Sequence, residues 1–332
     1  MGVNHTRRDR ATRILQIGRL GNAVMLDVPV PEPAAGQAVM RVLGVATCPQ
    51  WDLHLRHDAP MFPGHRFTYP YTPGQPGHEA TGVVHSVGSN VASLAVGDRV
   101  SAWRDAGHDR WGCYAEYVLM DEENLIRVPH ELPIEATASV ELGMCVGATF
   151  LLLRTMGGLS GARVGVVGLG PAGLVAAQMA RAEGAAGVVG FDLHEGRRRF
   201  ASERWVDSAY DPEACPGGLF PCRPSAPRLD VIVDCVGAKR SVEWAMDHAS
   251  SRVALFGVQR EDYTYAPRHY GGLSLIGYPG HSREAAEYAV QLITSGSLDL
   301  APLITHTMPL GDYQLGIDLL ERQEAIKVLF VP

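Results

Sequence analysis

Long apolar runs and an excess of basic residues are both missing from this sequence. The longest apolar stretches, such as the one that ends at residues 149–153, are shorter than the roughly 20 residues that a membrane span needs. There are 29 lysines and arginines against 36 aspartates and glutamates, and the resulting net charge of -7 gives no attraction for a phosphate backbone. We therefore expect neither a membrane nor a nucleic acid as partner.

Targeting signals and clustered cysteines are missing as well. No apolar stretch follows Arg7, Arg8 and Arg10, so the N-terminus predicts no signal or transit peptide, and we expect a cytoplasmic protein. The six cysteines are scattered over positions 48, 113, 145, 215, 222 and 235. Without a secretory signal this scatter favours reduced thiols over a disulfide framework, which leaves some of them as candidate metal ligands.

The chain does contain enough apolar material for two domains. Its 332 residues are 46% hydrophobic, and single cores rarely grow beyond about 250 to 300 residues. Residues 1–145 read as a β-rich, barrel-like domain, with short strands separated by Pro, Gly and Asn. In residues 146–284 strands alternate with amphipathic helices, which predicts a doubly wound parallel sheet. The β ending of residues 285–332 favours a return to the first domain, and the fold class is α/β.

Individual segments carry these patterns. In the first domain the predicted strands are RILQIG, AVMLDVPV, QAVMRVLGV and ATGVVHSVG, and helical character begins near Glu135. In the second domain the predicted strands are RVGVVG, GVVGFD, LDVIVDCVG, RVALFGV and LSLIGY. Helices are predicted at PAGLVAAQMARAEG, at EGRRRFASERW and around residues 242–248.

A glycine-rich turn joins the strand RVGVVG to the helix that follows it. The turn reads Gly168-Leu169-Gly170-Pro171-Ala172-Gly173, which in this context predicts dinucleotide binding. Gly168 would permit the tight turn, Gly170 would let a pyrophosphate approach the backbone, and Gly173 would let the helix pack on the strand. The helix N-terminus would face the negative charge.

The residues after the next strand bear on the choice of cofactor. Asp192 ends GVVGFD, where a carboxylate accepts hydrogen bonds from the adenosine ribose and repels a 2'-phosphate, so NAD is favoured. Arg197, Arg198 and Arg199 weaken that prediction, since one of them could hold a phosphate, and NADP stays open. We expect Arg197 and Val236, the latter in LDVIVDCVG, to contact the cofactor as well.

Candidate zinc ligands lie in the first domain. Cys48 in ATCPQWDLH and His78 in Gly77-His78-Glu79 offer a thiolate and an imidazole, which suit Zn2+. A catalytic zinc needs a third protein ligand and an open position. Glu141 and Cys145 lie four positions apart on a predicted helix, and the spacing leaves both open.

With these motifs the chain resembles the zinc alcohol, sorbitol and threonine dehydrogenases of the medium-chain family over nearly its whole length. The resemblance implies a GroES-like catalytic domain and a Rossmann domain. It places Cys48 and His78 at the first two zinc ligands and, as in the polyol-handling branch, Glu141 at the third. It makes Glu79 an outer ligand that approaches the metal transiently, and has Asp52 accept a hydrogen bond from His78.

The chain departs from the family in two ways. One residue is inserted between Cys48 and Asp52, so Gln50 or Trp51 replaces the Ser or Thr of the proton relay. A water, Thr47 or His54 would take that role, and His54 suits it best because its ordinary pKa is about 6.5. Only Cys113 occurs between Val100 and Tyr117, so we expect one catalytic zinc and no structural zinc. Cys215 and Cys222 read as loop cysteines.

The resemblance predicts hydride transfer between NAD and a secondary alcohol or polyol, or the matching ketone. One alternative is a zinc-free, NADPH-dependent quinone or enoyl reductase of the same fold, which the presence of Cys48 and His78 argues against. Another is a binding protein without catalysis, which the retained ligands disfavour. Family habit also suggests a dimer or tetramer joined through LSLIGY.

Overall fold

The computed structural model describes residues 11–105, 107–214 and 229–332. Two compact units divide the chain, the first comprising residues 1–142 and 300–332 and the second residues 143–299. Cys215 and Cys222 lie outside the described residues.

Strands and helices are numbered in chain order within this described part. The strands are β1 (Ala11–Ile17), β2 (Ala23–Pro29), β3 (Gln37–Ala46), β4 (Glu79–Val87), β5 (Arg99–Ala102), β6 (Tyr117–Asp121), β7 (Leu125–Arg127), β8 (Arg163–Val167), β9 (Gly187–Phe191), β10 (Ser208–Tyr210), β11 (Leu229–Asp234), β12 (Ala249–Leu255), β13 (Ser274–Gly277), β14 (Ile304–Pro309) and β15 (Lys327–Val331). The helices are α1 (Pro49–Arg56), α2 (Ile134–Thr137), α3 (Val140–Thr155), α4 (Pro171–Ala182), α5 (Glu195–Ser202), α6 (Lys239–His248), α7 (Arg283–Thr294) and α8 (Tyr313–Glu321). Short 3-10 turns occupy Arg19–Gly21, Glu122–Asn124, Pro267–His269, Ala301–Leu303 and Leu310–Asp312.

The first unit is built on a sheet of seven strands in the order β14-β15-β3-β4-β5-β7, with β6 also paired to β3. β1 and β2 form a separate antiparallel pair. The last strand, β15, runs antiparallel to β3, with Leu329 opposite Ala46. The end of the chain therefore pairs with the middle of the first unit's sheet.

The second unit is a parallel sheet of six strands in the order β10-β9-β8-β11-β12-β13. Its central strands are runs of buried valine and isoleucine, because helices cover both faces of such a sheet and leave neither face to water. The order starts at β8, moves outward to β9 and β10, and then reverses to β11, so the point of reversal lies between β8 and β11. In sheets of this kind ligands bind at the carboxyl ends of the strands beside that point.

The units divide at slightly different residues from those the sequence suggested. The sequence placed the return to the first domain at residue 285, whereas the second compact unit extends to residue 299. The reason is α7, whose Tyr288 donates its hydroxyl to Glu183 and whose alanines are buried in the second unit. At the other junction α3 begins in the first unit and continues in the second.

One stretch of the described chain, residues 134–155, is long and apolar enough to cross a membrane by length and composition. Within the protein, 72% of its most apolar window is buried. The core helix of a folded domain gives the same pattern, so the stretch is weak evidence for a membrane span.

Candidate metal and cofactor sites

The pairing of two strands brings the candidate metal ligands Cys48 and His78 close together. β3 and β4 are antiparallel neighbours, and Ala46 at the end of β3 lies opposite Glu79 at the start of β4. Cys48 comes just after β3, as the cap of α1, and His78 comes just before β4. The ligand atoms of Cys48, His78 and Glu79 consequently lie within 4.8 Å of one another.

The tautomer of His78 suits metal binding through Nε2. Its Nδ1 lies 2.6 Å from the carbonyl oxygen of Pro76, and because a carbonyl only accepts, Nδ1 donates the proton. In the neutral imidazole the lone pair is then on Nε2, the nitrogen that faces the carboxylate of Glu141. An imidazole held in this way by a backbone carbonyl is a common arrangement for a zinc-ligating histidine.

Glu141 is a third potential ligand and lies beside His78. Its Oε2 lies 3.8 Å from Nε2 of His78, and the residue is 9% exposed. It occupies the first turn of α3, where the helix dipole favours an acid. Cys145, the alternative ligand, lies one turn further along and belongs to the second unit.

Glu79 has a partner that the sequence did not indicate. Nζ of Lys327, at the start of β15, lies 2.6 and 2.7 Å from the two carboxylate oxygens of Glu79 and also donates to the carbonyl of Thr47. Lysine and glutamate are both almost fully buried. No short-range pattern links positions 79 and 327, so only the folded chain reveals this ion pair.

The prediction for Asp52 was wrong. We expected its carboxylate to accept a hydrogen bond from His78, but that proton goes to Pro76. Asp52 is fully buried and instead accepts from the backbone N–H of Cys48 and from the hydroxyls of Tyr114 and Tyr313. Asp52 lies in α1 after the inserted residue, and one extra residue turns a helical position by about 100° about the axis.

The electrostatics of this cluster favour a cation. Burial on its own lowers the pKa of His78, but the contact with the Cys48 thiol and the charge of Glu141 outweigh it and hold the pKa well above its usual value. Burial raises the pKa of Asp52 to about 6, although the hydroxyls of Tyr313 and Tyr114 oppose this. A field that retains a proton on a buried imidazole also attracts a metal ion.

The relay candidates have local partners. Nδ1 of His54 lies 3.1 Å from the carbonyls of Ala59 and Pro60, which leaves Nε2 as the nitrogen for proton exchange. Thr47 is fully buried, and its hydroxyl accepts from the N–H of Val328. Trp51 packs against the ring of His108 with a centroid separation of 4.3 Å. His54 as the relay stays a prediction.

Cys113 has the character of a core residue. It is 2% exposed, and burial raises its pKa to about 12, so the thiol stays neutral. A cysteine binds zinc as its thiolate, and a structural zinc site uses four protein ligands, typically cysteines and histidines. Within the described ranges the two clusters of potential metal ligands do not include Cys113.

The glycine-rich turn lies in the second unit between β8 and α4. Gly168 has a φ of +85°, and a Cβ on Gly173 would lie 1.7 Å from the carbonyl oxygen of Gly168. A Cβ on Gly170 would meet nothing within 4 Å, so the space beside this residue is open. Pro171 and Ala172 form the first positions of α4, whose leading N–H groups have no partner within the helix.

Asp192 lies beside this turn, immediately after β9. One carboxylate oxygen accepts from the N–H of Leu169 and the other from the N–H of His194, both at 2.8 Å. Nη1 of Arg197 is 3.7 Å from the same carboxylate. Asp192 therefore connects the turn to the start of α5.

A cavity of about 450 Å³ opens at this edge of the parallel sheet. The predicted cofactor residues Gly168, Gly170, Asp192, Arg197 and Val236 are in its lining. Trp244, which was not among the predicted cofactor residues, also lines the cavity and packs against Phe191 at 4.6 Å between ring centroids. The helical spacing of apolar residues in α6 could have indicated that this tryptophan packs on the sheet, but not that it lies beside the glycine-rich turn.

The chain is similar in sequence to known alcohol and threonine dehydrogenases. A sequence profile of the alcohol dehydrogenase GroES-like domain matches residues 34–130. L-Threonine 3-dehydrogenase from Bacillus subtilis (strain 168) is 28% identical over an alignment that covers 93% of this chain and 95% of that protein.

Two solved structures resemble nearly the whole chain. The 2R,3R-butanediol dehydrogenase from Bacillus subtilis has a TM-score of 0.83 at 22% identity and covers 97% of this chain and 99% of its own. A zinc-binding dehydrogenase from Sinorhizobium meliloti 1021, bound to NADP, has a TM-score of 0.82 at 23% identity, with coverages of 97% and 99%. These likenesses confirm the predicted fold class, a GroES-like unit with a Rossmann-type parallel sheet.

Proposed function

Because the chain belongs to the zinc-type medium-chain dehydrogenase/reductase family, we propose that it transfers a hydride between an alcohol and a nicotinamide cofactor. The alcohol is a secondary alcohol or polyol, and the reverse reaction reduces the matching ketone. The observation that carries this proposal is the meeting of a thiol, an imidazole and a carboxylate at the buried end of β3 and β4.

The donors present fit a catalytic zinc ion. We propose Cys48, His78 and Glu141 as its ligands, since one sulfur, one nitrogen and one oxygen donor leave the fourth tetrahedral position for substrate. Glu141 is preferred to Glu79 because both oxygens of Glu79 already contact Lys327. Glu79 then stays an outer group, close to the ligands and neutralised by a buried lysine.

When bound, such a zinc ion supplies a Lewis acid that makes an alcohol hydroxyl easier to deprotonate near neutral pH. The protein residues perform the remaining tasks. The Pro76 carbonyl keeps the Nδ1 proton of His78 in place and fixes the plane of the imidazole. Burial of the His78 and Glu141 side chains limits access of water to the reacting hydroxyl. His54 is proposed to pass the released proton to solvent.

For the cofactor we propose NAD. Asp192 presents a buried negative charge at the edge of the cavity, and a 2'-phosphate brought there would be repelled. Arg197 contacts that same carboxylate, so its charge is already partly balanced. The related dehydrogenase from Sinorhizobium meliloti is bound to NADP, which makes the preference a matter for measurement.

The cofactor proposal is tested by exchanging one side chain. We expect Asp192→Ala to lower kcat/KM for NAD by about 10-fold, equivalent to roughly 1.4 kcal/mol, and to narrow the preference over NADP. Steady-state kinetics with both cofactors measure the ratio. Since Asp192 also accepts from Leu169 and His194, thermal unfolding of the variant serves as the control for local damage. A wild-type enzyme that prefers NADP would contradict the proposal.

Two similar proteins are dehydrogenases of related small alcohols. Threonine and 2,3-butanediol both carry a secondary hydroxyl next to a second polar group. We propose a substrate of this kind, to be identified by following NADH absorbance with sugars, cyclitols, amino alcohols and aliphatic secondary alcohols. Quinone reduction without metal would favour the zinc-free reductase, and absence of turnover with every substrate would favour the binding protein.

The assembly proposed is a dimer or tetramer joined through β13. This strand is the last of the six-stranded sheet, so one of its edges has no paired strand among the residues that the structure describes. Light scattering on the purified protein tests the proposal, and a monomer at micromolar concentration would contradict it.

A further inference from the structure

We propose that Tyr114 and Tyr313 are positioning residues of the metal centre and act on it through Asp52. This inference rests on the proposed function, because it concerns how tightly Cys48 is held as a zinc ligand. Both tyrosine side chains are buried, and both hydroxyls donate to Asp52 although the two residues are remote from each other in sequence.

The hydrogen bonds of Asp52 link the two tyrosine hydroxyls to the backbone of Cys48. Its Oδ1 accepts from the Tyr313 hydroxyl at 2.9 Å, and both oxygens lie 3.0 Å from the Tyr114 hydroxyl. Its Oδ2 accepts from the backbone N–H of Cys48 at 2.9 Å. Asp52 therefore accepts hydrogen bonds from both tyrosines and also holds the main chain of Cys48.

The tyrosine rings are themselves fixed by packing. Tyr114 and Tyr313 meet edge to face at 5.3 Å between centroids, and Phe330 packs against both, at 5.8 and 5.6 Å. Both rings are also nearly inaccessible to solvent. Their hydroxyls therefore have little freedom to turn away, and a buried carboxylate bound by them has a defined position.

The two ligands Cys48 and His78 are held by different groups. The imidazole of His78 is oriented by the Pro76 carbonyl, whereas Cys48 is oriented by Asp52. Groups that support a zinc ligand from outside typically change metal affinity by about 10- to 100-fold when removed. Loss of a tyrosine hydroxyl should consequently affect the sulfur ligand and leave the imidazole unchanged.

The test uses Tyr313→Phe and Tyr114→Phe, each of which deletes one hydroxyl and keeps the ring. Tyr288→Phe is the matched control, since it deletes a hydroxyl bonded to the carboxylate of Glu183 in the second unit. Zinc release into a chromophoric chelator is measured for each protein. We expect release to be about 10-fold faster in both site variants and unchanged in the control.

A spectroscopic measurement separates positioning from general loosening. In cobalt-substituted protein the thiolate-to-cobalt charge-transfer band should shift in the two site variants and stay in place in Tyr288→Phe. In an Asp52→Asn background, Tyr313→Phe should add no further acceleration of zinc release, because its effect passes through the carboxylate. Circular dichroism verifies that each variant is folded, and either site variant alone suffices for both readouts.

Wild-type release rates and an unshifted cobalt band in the site variants would overturn the inference. So would a full additional effect of Tyr313→Phe in the Asp52→Asn background. Failure of the proposed function looks different, since the wild-type protein would then bind no zinc at all.

Discussion

The two units of the chain differ in how they build their candidate sites. The first buries ionisable side chains, among them Asp52, Glu79, Lys327 and His78, around the end of two strands. In the second the central strands are mainly valine and isoleucine, the buried acids Asp192 and Asp234 lie at the ends of strands, and the candidate cofactor turn is formed by glycines and backbone N–H groups. A metal needs donor atoms that only side chains provide, whereas a pyrophosphate is bound well by the main chain at a helix start.

This difference predicts which changes each unit tolerates. Removal of a single charged or ligating group should damage the first unit, since its partner is left buried without compensation. The second unit should be more sensitive to added volume at the turn, since its function depends on how closely the backbone can be approached.

His78→Ala should have the largest effect. Turnover should fall by about three orders of magnitude or more, because several kcal/mol of Lewis-acid stabilisation are lost with the metal. Activity and zinc content are measured together on the same preparation. The control is His85→Ala, which removes an exposed imidazole and should leave both unchanged.

Lys327→Met tests the buried ion pair of the first unit. It leaves the Glu79 carboxylate without its cation, and breaking a buried pair costs about 3 to 5 kcal/mol. Urea unfolding measures the loss. Adding Glu79→Gln should restore part of it, whereas a single variant as stable as the wild type would show that the charges are not coupled.

Gly173→Ala tests the turn of the second unit. The new Cβ would lie 1.7 Å from the Gly168 carbonyl, so the backbone has to move, at a cost of about 1 to 3 kcal/mol. Binding of NADH, followed by fluorescence, should weaken as well. Gly196→Ala makes the same chemical change in α5, where nothing lies within 4 Å, and should be neutral or slightly stabilising.

Glu183→Gln should have the smallest effect, and one that depends on pH. Burial alone raises the pKa of Glu183, but the hydrogen bonds from Arg154 and Tyr288 outweigh it and lower the pKa below its ordinary value of 4.5. The pair then contributes stability above that value and loses it as the pH falls through the lowered pKa.

The expected cost of Glu183→Gln near neutral pH is about 1 kcal/mol, because Arg154 is partly exposed and solvent screens the pair. Unfolding measured from pH 7 down to pH 3 should bring variant and wild type together at the acid end. A difference that grows as the pH falls would contradict the assignment.

Sequence patterns predicted the parts of the molecule that depend on neighbouring residues. The glycine turn, its flanking strand and helix, and the acid at Asp192 form one local unit, and their spacing carries the information. The two strands that bring Cys48 and His78 together were also predicted as strands, but their pairing is known only from the folded chain.

The supporting groups behind the metal site could not be predicted in this way. Lys327 is 248 positions from Glu79, and Tyr313 is 261 positions from Asp52, so no local pattern connects them. The Asp52 prediction failed because a position was carried over from relatives across an inserted residue. A helix converts such an insertion into a rotation, and the side chain then meets different partners.

A chelator titration, with zinc content and NAD-linked alcohol oxidation followed in one sample, decides whether the reaction depends on the metal. We expect one zinc ion per chain and a loss of activity in proportion to the zinc removed. Full turnover by protein that contains no metal would contradict it.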